Sequence, residues 1–279
     1  MKIKNVLGLA AIILGLTGCV NLQHKDNVTS SSLVEFLYPD STNYVEHKPE
    51  IPVLTLPLNV GIAFVPSSQS SSLEPSAKKK YDILSDVKRK FVELDYVNRI
   101  EIISDNYLKK GGGFDTLEQI SRLHNVDVIA LVSYDQVTQN NQNHASLLYW
   151  TIAGMYLIPG NDNTTQTFID TAVFDVKSNK LLFRAPGVSK VEAISTAVGL
   201  DETIIDNSNE GFDLAVTDMI TNLNTELDLF KVRVKEEKIA KVEYSSGYSG
   251  GSVSWLVISA LMMICLVRMK ERTRSRVTA

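Results

Sequence analysis

Cysteine is scarce in this chain: 279 residues include two, Cys19 and Cys265. Each lies in a terminal apolar stretch, so no disulfide can brace the residues between them. Histidine is nearly as thin, with His24, His47, His124 and His144 standing far apart and without a second histidine or cysteine at ligand spacing. That excludes a metal centre of the zinc type. No Gly-x-Ser-x-Gly elbow occurs, and no Lys-Ser or Lys-Thr follows Gly111-Gly112-Gly113, so neither a hydrolase nucleophile nor a phosphate loop has its parts. Asp170 and Asp175 are five apart on a strand pattern and point to opposite faces, which is poor geometry for paired acid–base work. No catalytic residue and no cofactor are assigned. Positive charge is also lacking where it would matter for nucleic acid. The net charge is −4, but Lys2 and Lys4 put +2 in the leader and the residues after Gly251 add +4, leaving −10 for Cys19 to Gly251. Such a surface repels nucleic acid.

Long hydrophobic runs are absent too, and the short ones sit at the ends. The chain starts "MKIKNVLGLAAIILGLTGCV", two lysines ahead of an eleven-residue apolar stretch from Val6 to Leu16. This is the form of a secretory signal, and it is too short for a retained span. At the other end Val253 to Val267 is fifteen residues without a charge, followed by Arg268, Lys270, Arg272, Arg274 and Arg276. A helix of that length reaches about 22 Å against a hydrocarbon core of ~30 Å, a marginal span whose basic flank stays cytoplasmic. Residues before Gly250 are therefore expected outside the cytoplasm.

Leu16-Thr17-Gly18-Cys19 resembles the lipobox of bacterial lipoproteins, in which the cysteine thiol receives diacylglycerol after signal peptidase cleavage. With Gly250, Gly251 and Ser252, the apolar segment and the arginine cluster, the two ends resemble the rhombotarget lipoproteins. That resemblance implies a GlyGly tail cut by rhombosortase, a rhomboid-like intramembrane protease. Glycine fits the part, because it gives up about 0.5–1 kcal/mol relative to alanine in a helix and lets a helix end unwind. The alternative is a permanent single-span anchor behind a Gly-Ser linker. The family also implies a precursor in the inner membrane. Val20, which is not the aspartate that retains enteric lipoproteins there, implies passage to the outer membrane or cell surface.

Between the ends the expected divisions are a leader at 1–18, a tether at 19–57, one domain at 58–237, a Gly/Ser linker at 238–251 and the sorting tail at 252–279. Within 19–57, Leu33, Val34, Phe36 and Leu37 form an apolar cluster able to dock on the domain. Val60 to Val65 is apolar on both faces and reads as a buried strand stopped by Pro66. From Glu74 to Leu94 the spacing of Tyr81, Leu84, Val87, Phe91 and Leu94 predicts an amphipathic helix, and Val97 to Ile103 a second strand. Asp115 with Glu118 forms a capping box ahead of a helix carrying Leu117, Ile120 and Leu123. Val126 to Val132 reads as a central strand that buries Ile129 and Leu131, and "QNNQNHAS" as a polar loop. Leu147 to Pro159 is rich in β-formers and reads as a further strand, followed by a hairpin turning at Lys177 to Lys180. A last helix over 209–237 places Phe212, Ala215, Met219, Leu223 and Leu227 on one stripe.

The expected fold is a single periplasmic α/β sandwich with a mixed sheet in the order β-α-β-α-β-β-β-β-α. That order, the turn after Asp175 and the final helix from Phe212 are similar to the small α/β domains of curli-secretion and penicillin-binding-protein-activator lipoproteins, and of the Tol–Pal propeller protein. The resemblance implies a non-catalytic module that binds another envelope component. A second expectation is a small-ligand or glycan site with Tyr149, Trp150 and Tyr156 as a stacking platform.

Overall fold

The computed structural model describes residues 25–38, 51–67, 73–108, 112–145 and 152–245. A six-stranded mixed sheet runs in the order β4-β3-β5-β6-β7, formed by Val97–Ile102, Leu58–Phe64, Val128–Gln142, Asn161–Asp175 and Lys180–Ser195. Strand β1 (Lys25–Ser31) is the sixth and pairs antiparallel with β5. Strand β3 is parallel to both β4 and β5, whereas β5-β6 and β6-β7 are antiparallel. The three long strands form a platform of about 50 Å at ~3.4 Å per residue. One edge of β5 is shared end to end: β3 pairs with Val128 to Val132 and β1 with Tyr134 to Asn140.

Alternation along the strands separates two apolar cores. Ile62, Phe64, Val128, Ala130, Val132, Ile169 and Val173 face helix α2 (Ala77–Phe91) and the 37-residue helix α5 (Leu200–Glu236). Ala63, Val65, Ile129, Leu131, Ala172 and Phe174 face helices α1 (Leu33–Leu37) and α3 (Gly113–His124). The result is an α/β sandwich with a mixed sheet, as the pattern of elements implies. Ile129 and Leu131, 1% and 0% exposed, lie in a strand paired on both sides.

Several elements depart from the sequence reading. Residues taken as a tether build strand β1 and helix α1, whose Phe36 and Leu37 are buried, and strand β2 (Val53–Leu56). The linker residues Lys241–Tyr244 form β8, which pairs in parallel with β2 as a separate two-stranded ribbon. Strand β5 does not stop at Val132 but continues through the polar stretch to Gln142, with Gln136, Thr138 and Asn140 buried. These side chains sit under the first half of α5, where Gln136 Nε2 donates to Thr167 Oγ1 at 2.7 Å and to the Ser208 carbonyl at 3.1 Å. Thr138 and Thr165 hydroxyls meet at 3.1 Å, and Asn163 Nδ2 donates to Ser195 Oγ at 2.9 Å.

Where a further strand was expected, Ile152–Leu157 is the short helix α4, at the tip of the β5-β6 hairpin. Among the described residues no neighbouring strand extends that far to offer a ladder, and a helix satisfies its own backbone. Helix α5 begins nine residues earlier than its apolar stripe suggests, because its first turns cover the polar layer. Asp115 is not the cap of α3: Gly112 holds that position without a side-chain bond, Gly113 has φ +58°, and Asp115 lies in the first turn. Tyr81 and Leu123 are exposed at the flanks of stripes centred on Leu84 and Leu117.

Candidate functional site

At the end of the sheet away from the hairpin tip, the apolar layer under α5 does not close. The floor comes from Val60, Ile62, Val128, Ala130, Thr171 and Val173 on the sheet, and one wall from Val87 and Phe91 at the end of α2. Leu223, Leu227, Phe230 and Val234 of α5 form the opposite wall, and Leu54, Leu56, Val242 and Tyr244 of the β2-β8 ribbon form the flap. Together they bound a half-open, almost wholly apolar space of about 520 Å³. This lies within the ~300–1,000 Å³ typical of small-molecule sites.

Local sequence explains each wall. The α5 stripe Leu223, Leu227, Phe230, Val234 repeats at three- and four-residue steps, so one helix face lines the space over about 16 Å. The ribbon is held by the parallel register Val53↔Lys241 to Leu56↔Tyr244. Leu54, buried at 4%, and Val242 opposite it in that register both turn to the cavity.

The cavity reaches the surface at exposed Tyr244, Lys231 and Lys235. Lys231 Nζ sits 4.8 Å above the Tyr96 ring and donates to Asp228 at 2.9 Å. Burial pulls the Lys231 ammonium down, but Asp228 and Tyr96 outweigh it, and the pKa lies above the ordinary lysine value. Burial pushes the Tyr96 phenol up. Both groups therefore hold their protons at neutral pH; the Lys231 charge is paired with Asp228, and the Tyr96 hydroxyl is buried in the wall. Lys235 makes no ion pair among the described residues.

Cys19, Gly250, Gly251 and Ser252 lie outside the described residues, as do Tyr149, Trp150, His24, His47 and the apolar segment Val253 to Val267. Tyr156 is exposed on α4, on a helix and not on the strand its platform role required. His124 packs edge-on against Tyr107 and lies 3.6 Å from Glu101. Among the described residues no three His, Cys, Asp or Glu side chains gather as metal ligands, and no helix is long and apolar enough to cross a membrane. Asp170 holds Arg184 at 2.8 Å and Asp175 accepts the Ser178 amide at 2.9 Å, so both are taken up in structure. The cavity residues were read from sequence only as core; the signal that distinguishes them is the α5 stripe running on past Leu223 with nothing assigned to cover it.

No family model matches the chain, and no curated protein matches it. Among solved structures it is similar to the neuraminyllactose-binding hemagglutinin homolog of Helicobacter pylori, at 8% identity over 70% of this chain and 96% of that one, with a TM-score of 0.37. It aligns with PelC of Paraburkholderia phytofirmans at 8% identity, over 71% and 99% of the two chains, TM-score 0.26. A DUF330 protein of Xanthomonas campestris aligns at 9% identity, over 70% and 96%, TM-score 0.29. Likeness at this level carries no function across, and the reading rests on the cavity.

Proposed function

We propose that this chain is an envelope lipoprotein, anchored through lipid on Cys19 and processed at Gly250-Gly251-Ser252, whose α/β domain is a non-catalytic module binding the acyl chain of an anionic amphiphile. The observation that carries the ligand reading is the 520 Å³ apolar cavity with Lys231 and Lys235 at its mouth. Burying apolar carbon is worth about 0.8 kcal/mol per methylene, so a dozen methylenes gather on the order of 10 kcal/mol before the costs of association. Micromolar binding needs about 8 kcal/mol. The lysines orient the chain by taking its charged end, and Tyr96 adds a donor. A glycan would leave its hydroxyls unpaired against such walls, which disfavours that ligand class here.

A protein partner remains a second reading, favoured by strand β7: among the described residues its 16 residues pair only with β6, leaving an open edge that carries exposed Leu181, Val188 and Ile194.

Photocrosslinking tests the ligand. Cells fed a diazirine-bearing palmitate are irradiated, the lipoprotein is purified and its peptides are mass-mapped. Adducts are expected on Leu223 to Val234 and Leu54 to Leu58, and Val173→Trp should remove them by filling the space. Label confined to Cys19 or scattered over the surface would defeat the ligand reading.

A further inference from the structure

Strand β7 ends the sheet, and α5 closes only part of its open edge. The Val188 amide donates to the Asp218 carboxylate at 3.0 Å, and the Pro186 carbonyl accepts from Asn222 Nδ2 at 2.8 Å. Neither group is spent on β6, and in an antiparallel ladder such groups alternate along the strand, so the even-numbered residues turn their backbone to the edge. Past Val188 the helix covers no more of it: among the described residues nothing bonds to the backbone of Lys190, Glu192 and Ile194 on that side.

The same residues carry exposed side chains on the face opposite α5. Val188 and Ile194 are 60% and 65% exposed, and Lys190 and Glu192 between them form an exposed ion pair. Gly187, beneath Met219, and Ser189, whose hydroxyl donates to the Gly211 carbonyl at 2.7 Å, turn the other way. From Val188 to Ile194 the open face therefore reads Val, Lys, Glu, Ile. Laid antiparallel on itself about Val191, that run is self-complementary: Val188 falls opposite Ile194 and Lys190 opposite Glu192, and a two-fold axis repeats each pair. The backbone agrees, because residues that exchange bonds must both face the edge, and these do. Sliding the pairing by two residues sets Lys190 against Lys190 or Glu192 against Glu192, which repels. A charged edge ordinarily keeps strands apart, but here each charge is answered by its opposite one step along the same face.

We propose that the partner of the β7 edge is a second copy of this chain, joined about a two-fold axis at Val191 so that two six-stranded sheets continue as one. The proposal rests on the reading of β7 as a protein-binding edge and is independent of the cavity ligand. Lys190 and Glu192 exchange their main-chain bonds with the other copy, and the four side chains form a square of alternating charge. Asp218 and Asn222 stop the pairing at Val188, so the contact is one short edge and the association is weak.

The test uses the full chain in detergent micelles, as an equal mixture of unlabelled and heavy-isotope-labelled protein. A zero-length carbodiimide couples lysine amines to carboxylates in contact. The expected product is a Lys190–Glu192 link joining a light to a heavy peptide, with a monomer–dimer equilibrium in sedimentation. Lys190→Glu and Glu192→Lys should each weaken self-association about tenfold, because both facing pairs turn repulsive, while urea midpoints stay unchanged. Mixing the two variants should restore the association, since every facing pair is again opposite in sign. An association that neither reversal weakens, a loss that mixing does not restore, or links within single chains only would overturn the proposal. The same reagent on isolated envelopes separates it from the reading beneath it. Lys190 and Glu192 linked to a different protein overturn self-pairing alone; no link to any protein, there or in micelles, overturns both.

Discussion

Gly187 of β7 lies directly beneath Met219 of α5: a Cβ at position 187 would stand 2.5 Å from both the Met219 Cβ and its amide nitrogen, and nearer still to the Ala215 carbonyl. The long helix therefore rests on the sheet backbone at this point, and Met219 is fully buried there. Gly187→Ala should force α5 off the sheet and destabilise the domain by about 1–3 kcal/mol, as overpacking does. A lower urea midpoint with an unchanged slope is the expected readout; an unchanged midpoint would mean the helix does not sit here.

The polar layer predicts a different cost. Gln136→Leu removes donors and an acceptor at once, leaving Thr167 and Ser208 without their partner in a dry site. A loss of about 2–3 kcal/mol is expected, since each buried group left unpaired costs ~1–3 kcal/mol. Adding Thr167→Val should recover part of it, and a double-mutant cycle in urea measures the coupling.

Lys80, buried at 8%, bridges Glu74 at 2.8 Å and Asp105 at 2.9 Å, tying α2 to the loop after β4. Burial lowers its pKa, but the two carboxylates raise it further, to a net position above 10.5. Its contribution is therefore fully present below pH 10.5 and is lost as pH rises through the higher folded value. Lys80→Met should cost about 2 kcal/mol at pH 7, less than for a fully buried pair because both carboxylates are partly exposed. Urea midpoints of mutant and wild type should converge as pH rises above 10.5 through the raised folded value; a gap that stays constant would remove the charge from the explanation.

For the amino end, Cys19→Ala should stop lipid attachment and leave the precursor uncleaved. The measurement is labelled-lipid incorporation alongside intact mass. A mature-sized, lipid-bearing product from that variant would defeat the lipobox.

At the carboxyl end, the mature protein should lack about the last 28 residues, Ser252 to Ala279, in a host with the sorting protease. Gly250→Leu with Gly251→Leu should preserve the full chain, because two helix-favouring residues restore about 1.5–2 kcal/mol of helix stability at the cleavage point. Intact-mass analysis decides between cleavage and a permanent anchor, the latter retaining Val253 to Val267.

What the sequence by itself determined is whatever its apolar period could carry. Leu84, Val87 and Phe91 mark α2; Phe212, Ala215, Met219 and Leu223 mark α5; and the alternation ahead of Lys177 to Lys180 marks the β6-β7 hairpin, because one apolar face per element suffices to specify helix or strand. Only the tertiary structure decided the elements whose buried face is polar or whose partner is remote. Strand β1, "KDNVTSS", has no apolar period and exists because the second half of β5 offers an open edge. Gln136, Thr138 and Asn140 alternate as a strand does, but their burial depends on α5 laying its own Asn207 and Ser208 over them. Strands β2 and β8 meet across most of the chain, and neither pattern names the other. The cavity lies furthest from anything a sequence states. A leucine stripe records that a helix face is apolar, not whether the opposing walls touch it, and the space under Leu223, Leu227 and Phe230 is set by where α2 ends and how far the ribbon stands off.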